Sequence, residues 1–239
     1  MERELAEEVK QPKYFESQIG KSSNEGTKEI APLLPFVISG GKNTEYYYFK
    51  HINTIKGRIF NITPEYFGKE SNYTKEFPRR INNILQEHGI AKIFCVFDYD
   101  TIYNNPTNQQ KHKDFENEIK SNLDAGYVVL CPSMPSIEYW FLLHFENYTD
   151  LITSCGNKMN GLLTVYMQSY FPNSNKKIID TLTSEKYVKE SQWVEKLCSG
   201  GKLEFATERA EENIEKALAS NTLEKQSYSY VYKVFKEVV

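Results

Sequence analysis

The sequence predicts an α/β protein in which a mostly parallel sheet is flanked by helices. In residues 31–148, short apolar runs alternate with segments of helical periodicity, a pattern typical of parallel strands joined by crossover helices. The run Ile93–Phe97 is apolar without interruption, which favours a central strand covered on both faces. After Tyr148 the helical periodicity continues and no strong strand signal returns. The second part of the chain is therefore expected to be helical.

Each strand is predicted from a short apolar run that meets a turn signal. The first run ends in Ser39-Gly40-Gly41, and the later runs are likewise followed by polar residues. The predicted strands are Phe36–Ile38, Arg58–Ile62, Ile93–Asp100 and Tyr127–Cys131.

Each helix is predicted from apolar spacing and from the residues that start or stop it. Thr44 and Glu45 begin the first helix, Lys56-Gly57 ends it, and Gly89 and Gly126 stop later ones. The other predicted helices are Glu76–His88, Asn108–Leu123, Ser136–Phe145, Leu162–Tyr170, Glu185–Leu197, Leu203–Leu218 and Tyr228–Val238.

These patterns divide the chain of 239 residues into three parts. Residues 1–30 are charged and polar and predict an N-terminal arm. Residues 31–148 predict the α/β core, and residues 149–239 a helical C-terminal extension.

Composition excludes several classes of protein. The net charge is -3, so no global positive field attracts nucleic acid, although a local basic groove remains compatible with it. No apolar run approaches the roughly 18–20 residues that a membrane span requires. Four dispersed cysteines form no CxxC pair, and the acidic start has no secretory signal. We therefore expect a cytoplasmic protein that does not enter a membrane.

Asp98 and Asp100 directly follow the predicted central strand. Ligands of parallel sheets bind at the carboxyl ends of strands, and paired carboxylates repel each other unless a cation lies between them. Oxygen ligands suit Mg²⁺ or Mn²⁺. The pair therefore predicts a divalent-metal site. The alternative is that Asp98 caps the next turn and Asp100 is solvated.

The turn Ser39–Glu45 joins a strand to a helix and is rich in glycine. Lys42 is a candidate for contacting a phosphate, and Glu45 for joining the metal site. The Walker A spacing is absent. A tight turn in which Thr44 and Glu45 cap the helix is the simpler interpretation of this segment alone.

Glu138 and His144 lie on the otherwise apolar helix that follows the last predicted strand. Polar groups in such a position cost free energy unless they find partners. Glu138 is a candidate metal ligand or general base, and His144 a candidate for moving protons or holding a phosphate. The alternatives are a helix-start glutamate favoured by the helix dipole and a hydrogen-bonded core histidine.

Together these three segments resemble the RloB family, also called AbiLii-like. Gly40–Phe49 fits its opening motif, Val96–Asp100 fits its strand with Asp-x-Asp, and Ser133–Phe145 fits its Ser-x-Pro…Glu-x-Trp-Leu-Leu-x-His-Phe signature. The resemblance implies a Toprim/Rossmann-like fold whose carboxylates bind Mg²⁺ (or Mn²⁺) and cut phosphodiesters. It also implies phage defence by abortive infection, a partner ATPase of the ABC or AAA type, and nucleic acid, plausibly RNA, as substrate.

One position departs from the family pattern. The family's first glutamate falls on Gly40, and neither neighbour is acidic. Either Glu45 or Glu138 then supplies the third carboxylate, or the metal is held weakly. The leading hypothesis is a metal-dependent Toprim-type nuclease in which Asp98, Asp100 and Glu45 hold the metal. Glu45, Glu138, Lys42 and His144 are its candidate catalytic residues.

Two other functions remain open. One is a catalytically degenerate binding or regulatory subunit of the same system. The other is a phosphohydrolase acting on a nucleotide, because other α/β sites share the Asp-x-Asp arrangement.

Overall fold

A computed structural model describes residues 33–62 and 73–237 of the chain. The described residues from Leu34 onward belong to one compact unit. The arm predicted for residues 1–30 lies outside the described residues. Within the described ranges, no helix combines the length and apolar character needed to cross a bilayer.

Five strands form one sheet in the order β2-β1-β3-β4-β5. The first four strands run parallel, and the last is antiparallel to its neighbour. Their bounds are β1 Phe36–Ser39, β2 Asn61–Ile62, β3 Ile93–Asp98, β4 Val128–Met134 and β5 Tyr228–Ser229.

Twelve helices within the described ranges surround the sheet. They are α1 Thr44–Lys56, α2 Tyr73–His88, α3 Asp100–Tyr103, α4 Pro106–Glu118, α5 Lys120–Asp124, α6 Ile137–Leu143, α7 Asn157–Met167, α8 Ile178–Leu182, α9 Glu185–Val188, α10 Gln192–Cys198, α11 Lys202–Ala219 and α12 Tyr232–Lys236.

The two faces of the sheet bury separate apolar cores. Alternate residues of β3 point to opposite faces, as the period of two of a strand requires. Cys95 and Phe97 pack with α2 and α4, whereas Phe94 and Val96 pack with α1, α6 and the later helices. This two-sided burial explains why β3 is an unbroken apolar run.

The strand order places a topological switch point beside β3. From β1 the chain turns outward to β2, and from β3 it turns the opposite way to β4. In open α/β sheets, the crevice for ligands lies outside the carboxyl ends of the strands at such a point. A ligand-binding site is therefore expected among the residues that follow β1 and β3.

The predicted α/β class with a mostly parallel sheet and flanking helices is confirmed. Each predicted strand differs from the observed one in its bounds. The first strand ends at Ser39 rather than Ile38, and the strand predicted over Tyr127–Cys131 spans Val128–Met134. The strand predicted over Arg58–Ile62 is reduced to Asn61–Ile62. The strand predicted over Ile93–Asp100 ends at Asp98, because the N–H groups of Tyr99 and Asp100 turn to donate to the carbonyl of Pro135, each at 3.0 Å.

The helix predicted over Tyr228–Val238 was also wrong at its start. Tyr228 and Ser229 pair with Met134 and Ser133 and close the free edge of β4. The hydroxyls of Ser133 and Ser229 lie 2.7 Å apart in the buried interface, which ties the two strands together. The short helix α12 follows. The domain boundary at residue 148 stays a prediction. Residues on both sides of it pack in one apolar core.

Phe235 joins the end of the chain to this shared core. Its ring stacks on Trp140 at a centroid distance of 5.6 Å and an interplanar angle of 6°. The indole N–H of Trp140 donates in turn to the hydroxyl of Tyr48 at 2.8 Å. One aromatic column thus connects α12, α6 and α1.

We predict that Phe235→Ala lowers the free energy of unfolding by about 3–5 kcal/mol, because it leaves a cavity against Trp140. Chemical denaturation measures this loss. The control Val165→Ala, at a residue 78% exposed on α7, should change stability by less than about 0.5 kcal/mol. Equal effects of the two substitutions would contradict the shared core.

Candidate functional site

Four carboxyl groups gather at the carboxyl ends of β1, β3 and β4. Glu45 comes from the first turn of α1, Asp98 from the end of β3, Asp100 from the start of α3 and Glu138 from the first turn of α6. We call these four residues the acidic cluster. Elements distant in sequence meet there because their parent strands are parallel neighbours.

Glu45 folds back over the glycine turn that precedes its helix. The backbone N–H groups of Glu45 and Gly41 hydrogen-bond to its carboxylate. A Cβ at Gly41 would lie 1.9 Å from Glu45 Oε2, so this position accepts no side chain while Glu45 keeps its place. The C-terminal part of the chain also holds this turn in place, because the Thr44 hydroxyl donates to the carbonyl of Leu182 at 3.0 Å.

Asp98 is fixed by the next helix along the sheet. Its Oδ1 accepts a hydrogen bond from the backbone N–H of Ile137 at 2.9 Å, at the start of α6. Glu138, one residue further, has its Oε2 held by the hydroxyl of Ser136 at 2.6 Å. The same short turn therefore orients one carboxylate from β3 and one from α6.

Cys155, which lies outside the three sequence motifs, completes the surroundings of the cluster. Its backbone N–H donates to Oδ2 of Asp100 at 3.3 Å. Its thiol lies beside Ser136 and Glu138, and burial, followed by the charge of Glu138, raises the pKa of that thiol. Sequence reasoning missed Cys155 because a lone cysteine 55 positions after Asp100 gives no local signal.

Burial raises the pKa of every member of the acidic cluster. Burial raises the pKa of Glu45 to about 7, against the two backbone hydrogen bonds, and the charge of Glu138 adds to the rise. Burial, then the charges of Glu45 and Glu138, raises the pKa of Asp98. Burial also raises the pKa values of Asp100 and Glu138.

In the part of the chain that the structure describes, no basic side chain forms an ion pair with any of the four acidic residues.

The members of the cluster differ in their exposure to solvent. Glu45 and Glu138 are only 6% and 4% exposed, whereas Asp98 and Asp100 are half-buried residues. Burial is nevertheless the largest cause of the raised pKa of Asp98, as it is for the two glutamates. Asp100 is therefore the member whose carboxyl group solvent reaches most readily.

Lys42 and His144 are not brought to the cluster. Lys42 is exposed on the glycine turn, and the charge it contributes acts on Glu185 of α9. His144 follows the last residue of α6, about 12 Å along the helix axis from Ser136 at 1.5 Å per residue. Its Nδ1 lies 2.9 Å from the carbonyl oxygen of Trp140, and burial lowers its pKa to about 3. As placed, His144 is a neutral core histidine.

Gly40, where the resemblance expects a glutamate, points away from Asp98. A Cβ built there would lie 3.4 Å from Cβ of Phe97, an ordinary van der Waals contact. Phe97 faces the core on the opposite side of the sheet from α6, whereas Asp98 bonds to α6. A side chain at Gly40 would therefore start on the other face, and the glutamates whose charges act on Asp98 are Glu45 and Glu138.

The cluster has the donor chemistry of a magnesium or manganese site but no finished coordination shell. All four side chains offer carboxylate oxygens, which these cations prefer. Across residues 33–62 and 73–237, however, no group of three or more His, Cys, Asp or Glu side chains is already placed to hold a metal ion. A bound cation would have to draw the carboxylates together.

The comparisons with known proteins give one match. The sequence model of the family described as RloB-like protein matches residues 36–238, which include every residue of the acidic cluster. Neither the curated proteins nor the solved structures contain a match to this chain.

We predict that Glu45→Gln makes the protein more stable above pH 7. The carboxyl of Glu45 has a pKa of about 7 in the folded protein, against an ordinary value of 4.5. Between these values the folded state binds more protons than the unfolded state, so the free energy of unfolding falls as pH rises. A neutral amide removes that contribution.

Thermal unfolding from pH 5 to 9, with chelator present, measures this slope. Glu118→Gln, at an exposed residue of α4, is the control and should keep the wild-type slope. An unchanged slope in Glu45→Gln would contradict the burial of this carboxyl group.

We also predict that Gly41→Ala displaces the Glu45 carboxylate while the chain still folds. The added Cβ meets the flexible end of a side chain rather than backbone, so Glu45 swings towards solvent. The pH dependence of stability should then resemble that of Glu45→Gln. Gly40→Ala is the matched control, because its Cβ makes only ordinary contacts. The same pH profile for both alanine variants would argue against the folded-back position of Glu45.

Proposed function

The chain belongs to the RloB-like family, and from that premise we propose that it is a divalent-metal-dependent, Toprim-type nuclease. The observation that supports this proposal is the acidic cluster: four carboxyl groups at a sheet switch point, without a basic partner among the described residues. A buried set of negative charges is costly unless protons or cations neutralise it.

The proposed metal is Mg²⁺ (or Mn²⁺), held by Asp98, Asp100 and Glu45. Asp98 ends β3, Asp100 begins α3, and the charge of Glu45 acts on Asp98. When bound, the metal supplies positive charge that stabilises the in-line displacement at phosphorus.

The protein's own groups orient the reaction. The N–H of Ile137 fixes the direction of Asp98, and the N–H of Cys155 does the same for Asp100. Glu138, held by Ser136, is the group proposed to take a proton from the attacking water, since its raised pKa makes it a better base than an ordinary glutamate.

The biological setting rests on the family resemblance. The proposed substrate is nucleic acid, with RNA favoured. The proposed role is the effector of a phage-defence system that causes abortive infection together with a partner ATPase. A cytoplasmic location is part of the same proposal, as is the assignment of the fold as Toprim/Rossmann-like.

A second candidate function is a catalytically degenerate subunit that binds or regulates within such a system. Two observations favour it: Gly40 stands where the family pattern has a glutamate, and the acidic cluster is not preassembled for a metal in the described residues. Such a protein would keep the fold and lose cleavage.

We predict that Asp98→Asn abolishes metal-dependent cleavage of RNA, with a loss of at least about a hundred-fold, because it removes the carboxylate at the end of β3, one of the three proposed metal ligands. Gel assays with Mg²⁺ or Mn²⁺, together with toxicity in cells that contain the partner ATPase, provide the readouts. Asp124→Asn is the matched control, since that aspartate is exposed and pairs with Lys120.

Calorimetric titration with Mn²⁺ separates the two candidates. The nuclease proposal expects binding that Asp98→Asn weakens and Asp124→Asn leaves alone. Absence of binding at millimolar metal, or full toxicity in Asp98→Asn, would contradict it. Metal binding by the wild type without cleavage of any RNA would instead assign the chain to the degenerate class.

A further inference from the structure

A cavity of about 380 Å³ lies between α1 and β2, at the edge of the sheet. Its walls come from α1, from the loop that follows it and from β2, and they include no member of the acidic cluster. The volume lies in the range of small-molecule sites, roughly 300–1,000 Å³. The lining residues that matter to the argument are Tyr46, Lys50, Asn53, Thr54, Arg58 and Asn61.

The charge of this lining is positive. Lys50 and Arg58 are both exposed on its walls, and none of the described residues that line it is acidic. Within residues 33–62 and 73–237, no carboxylate forms an ion pair with either cation. In a chain with a net charge of -3, two cations thus share one cavity without a carboxylate that neutralises them.

The amide oxygens of the lining are already used within the protein. Oδ1 of Asn53 accepts hydrogen bonds from the N–H groups of Ile59 at 3.1 Å and Phe60 at 3.3 Å. Oδ1 of Asn61 accepts one from the guanidinium of Arg58 at 2.6 Å. The strongest groups left for a ligand are therefore the ammonium and guanidinium groups, which donate and do not accept.

Both cations are held in place before a ligand arrives. The ammonium of Lys50 lies 5.6 Å from the ring centroid of Tyr46 and 5.8 Å from that of Tyr47, a contact that stabilises a cation. The hydrogen bond to Asn61 fixes one nitrogen of Arg58, and a guanidinium has further N–H groups to offer. Groups that are already ordered lose less entropy when they bind.

A phosphate group matches this pair of cations. Guanidinium groups bind phosphate oxygens through paired N–H donors, and an ammonium binds them as a point charge. A phosphate offers more acceptor oxygens than a carboxylate does, so one group can contact a cation on α1 and a cation on the following loop together.

We propose that this cavity is a phosphate-binding site, separate from the acidic cluster, in which Lys50 and Arg58 bind a phosphate group of a nucleic acid or of a free nucleotide. A role in holding the substrate away from the cleaved bond rests on the proposed nuclease function. Phosphate binding itself requires neither a metal nor cleavage, and the experiment distinguishes the two sources of the phosphate.

The test is equilibrium binding of fluorescein-labelled single-stranded RNA to the full chain in EDTA, followed by anisotropy at several salt concentrations. Lys50→Gln combined with Arg58→Gln should weaken binding about ten-fold or more, because two charged hydrogen-bond donors are lost. The slope of log affinity against log salt should fall by about 1.4, since each phosphate contact of a single strand contributes about 0.7.

Arg79→Gln combined with Lys113→Gln is the matched control. It removes the same two kinds of charge from exposed residues of α2 and α4, which pack in the apolar core on the opposite face of the sheet from α1. This control should bind RNA nearly as the wild type does, with an unchanged salt slope.

A second pair of variants keeps both cations and tests the cavity itself. Thr54→Glu, at an exposed lining residue of α1, places a carboxylate in the cavity and should weaken RNA binding several-fold by repulsion. Thr54→Gln has nearly the same shape without the charge and should keep most of the affinity. This comparison decides the question even if the double variant of Lys50 and Arg58 fails to fold.

Calorimetric titration of the wild type with AMP and with inorganic phosphate identifies the source of the phosphate. Binding of AMP as tight as that of RNA, and lost in the Lys50 and Arg58 double variant, assigns the site to free nucleotides. Much tighter binding of RNA assigns it to nucleic acid.

The proposal is overturned by a wild-type protein that binds neither RNA, AMP nor inorganic phosphate, or by equal losses of affinity in the two double variants. That failure differs from failure of the nuclease proposal. Cleavage that depends on Asp98, with RNA affinity independent of Lys50 and Arg58, removes the phosphate site and keeps the nuclease. Affinity that depends on Lys50 and Arg58 without any cleavage removes the nuclease and keeps the phosphate site.

Discussion

The parallel pairing of β1, β3 and β4 determines where every member of the acidic cluster lies. Because these strands run in the same direction, their carboxyl ends meet at one edge, and the residues that follow them converge although they are far apart in the sequence. The reversal of strand order beside β3 leaves room between the following helices. The remaining features of the site, including the glycine turn and the hydrogen bond from Ile137, adjust side chains within that framework.

At this edge of the sheet, hydrogen bonds lower the pKa values of the carboxyl groups, whereas burial and neighbouring negative charges raise them. Backbone N–H groups and the Ser136 hydroxyl stabilise the ionised carboxylates, whereas burial and mutual repulsion favour the protonated forms, and burial is the larger effect. A fold that concentrates acids in this way gives up stability at neutral pH unless a cation arrives. Functional sites are where such arrangements are commonly found.

Local sequence patterns were sufficient to predict the central strands and the position of the acidic residues. An apolar run followed by aspartate indicates a buried strand with an acidic residue at its carboxyl end. They failed where a feature depends on contacts across the chain. Tyr228 and Ser229 form a strand only because β4 offers a free edge, and two residues carry no periodicity. Cys155 reaches Asp100 through a loop, and nothing near it in sequence indicates that contact. His144 shares a helix with Glu138, but it lies at the far end, so proximity in a motif did not mean proximity in space.

The stacking of Phe235 on Trp140 has a consequence for the synthesis of the protein. Domains fold as they emerge from the ribosome, N-terminal parts first. A nascent chain that has emerged only as far as α6 contains all four acidic residues but neither β5 nor the aromatic ring that Trp140 packs against. The edge of β4 then remains unpaired until residues 228–235 have been translated. The sheet therefore acquires its fifth strand, and Trp140 its stacking partner, only late in translation.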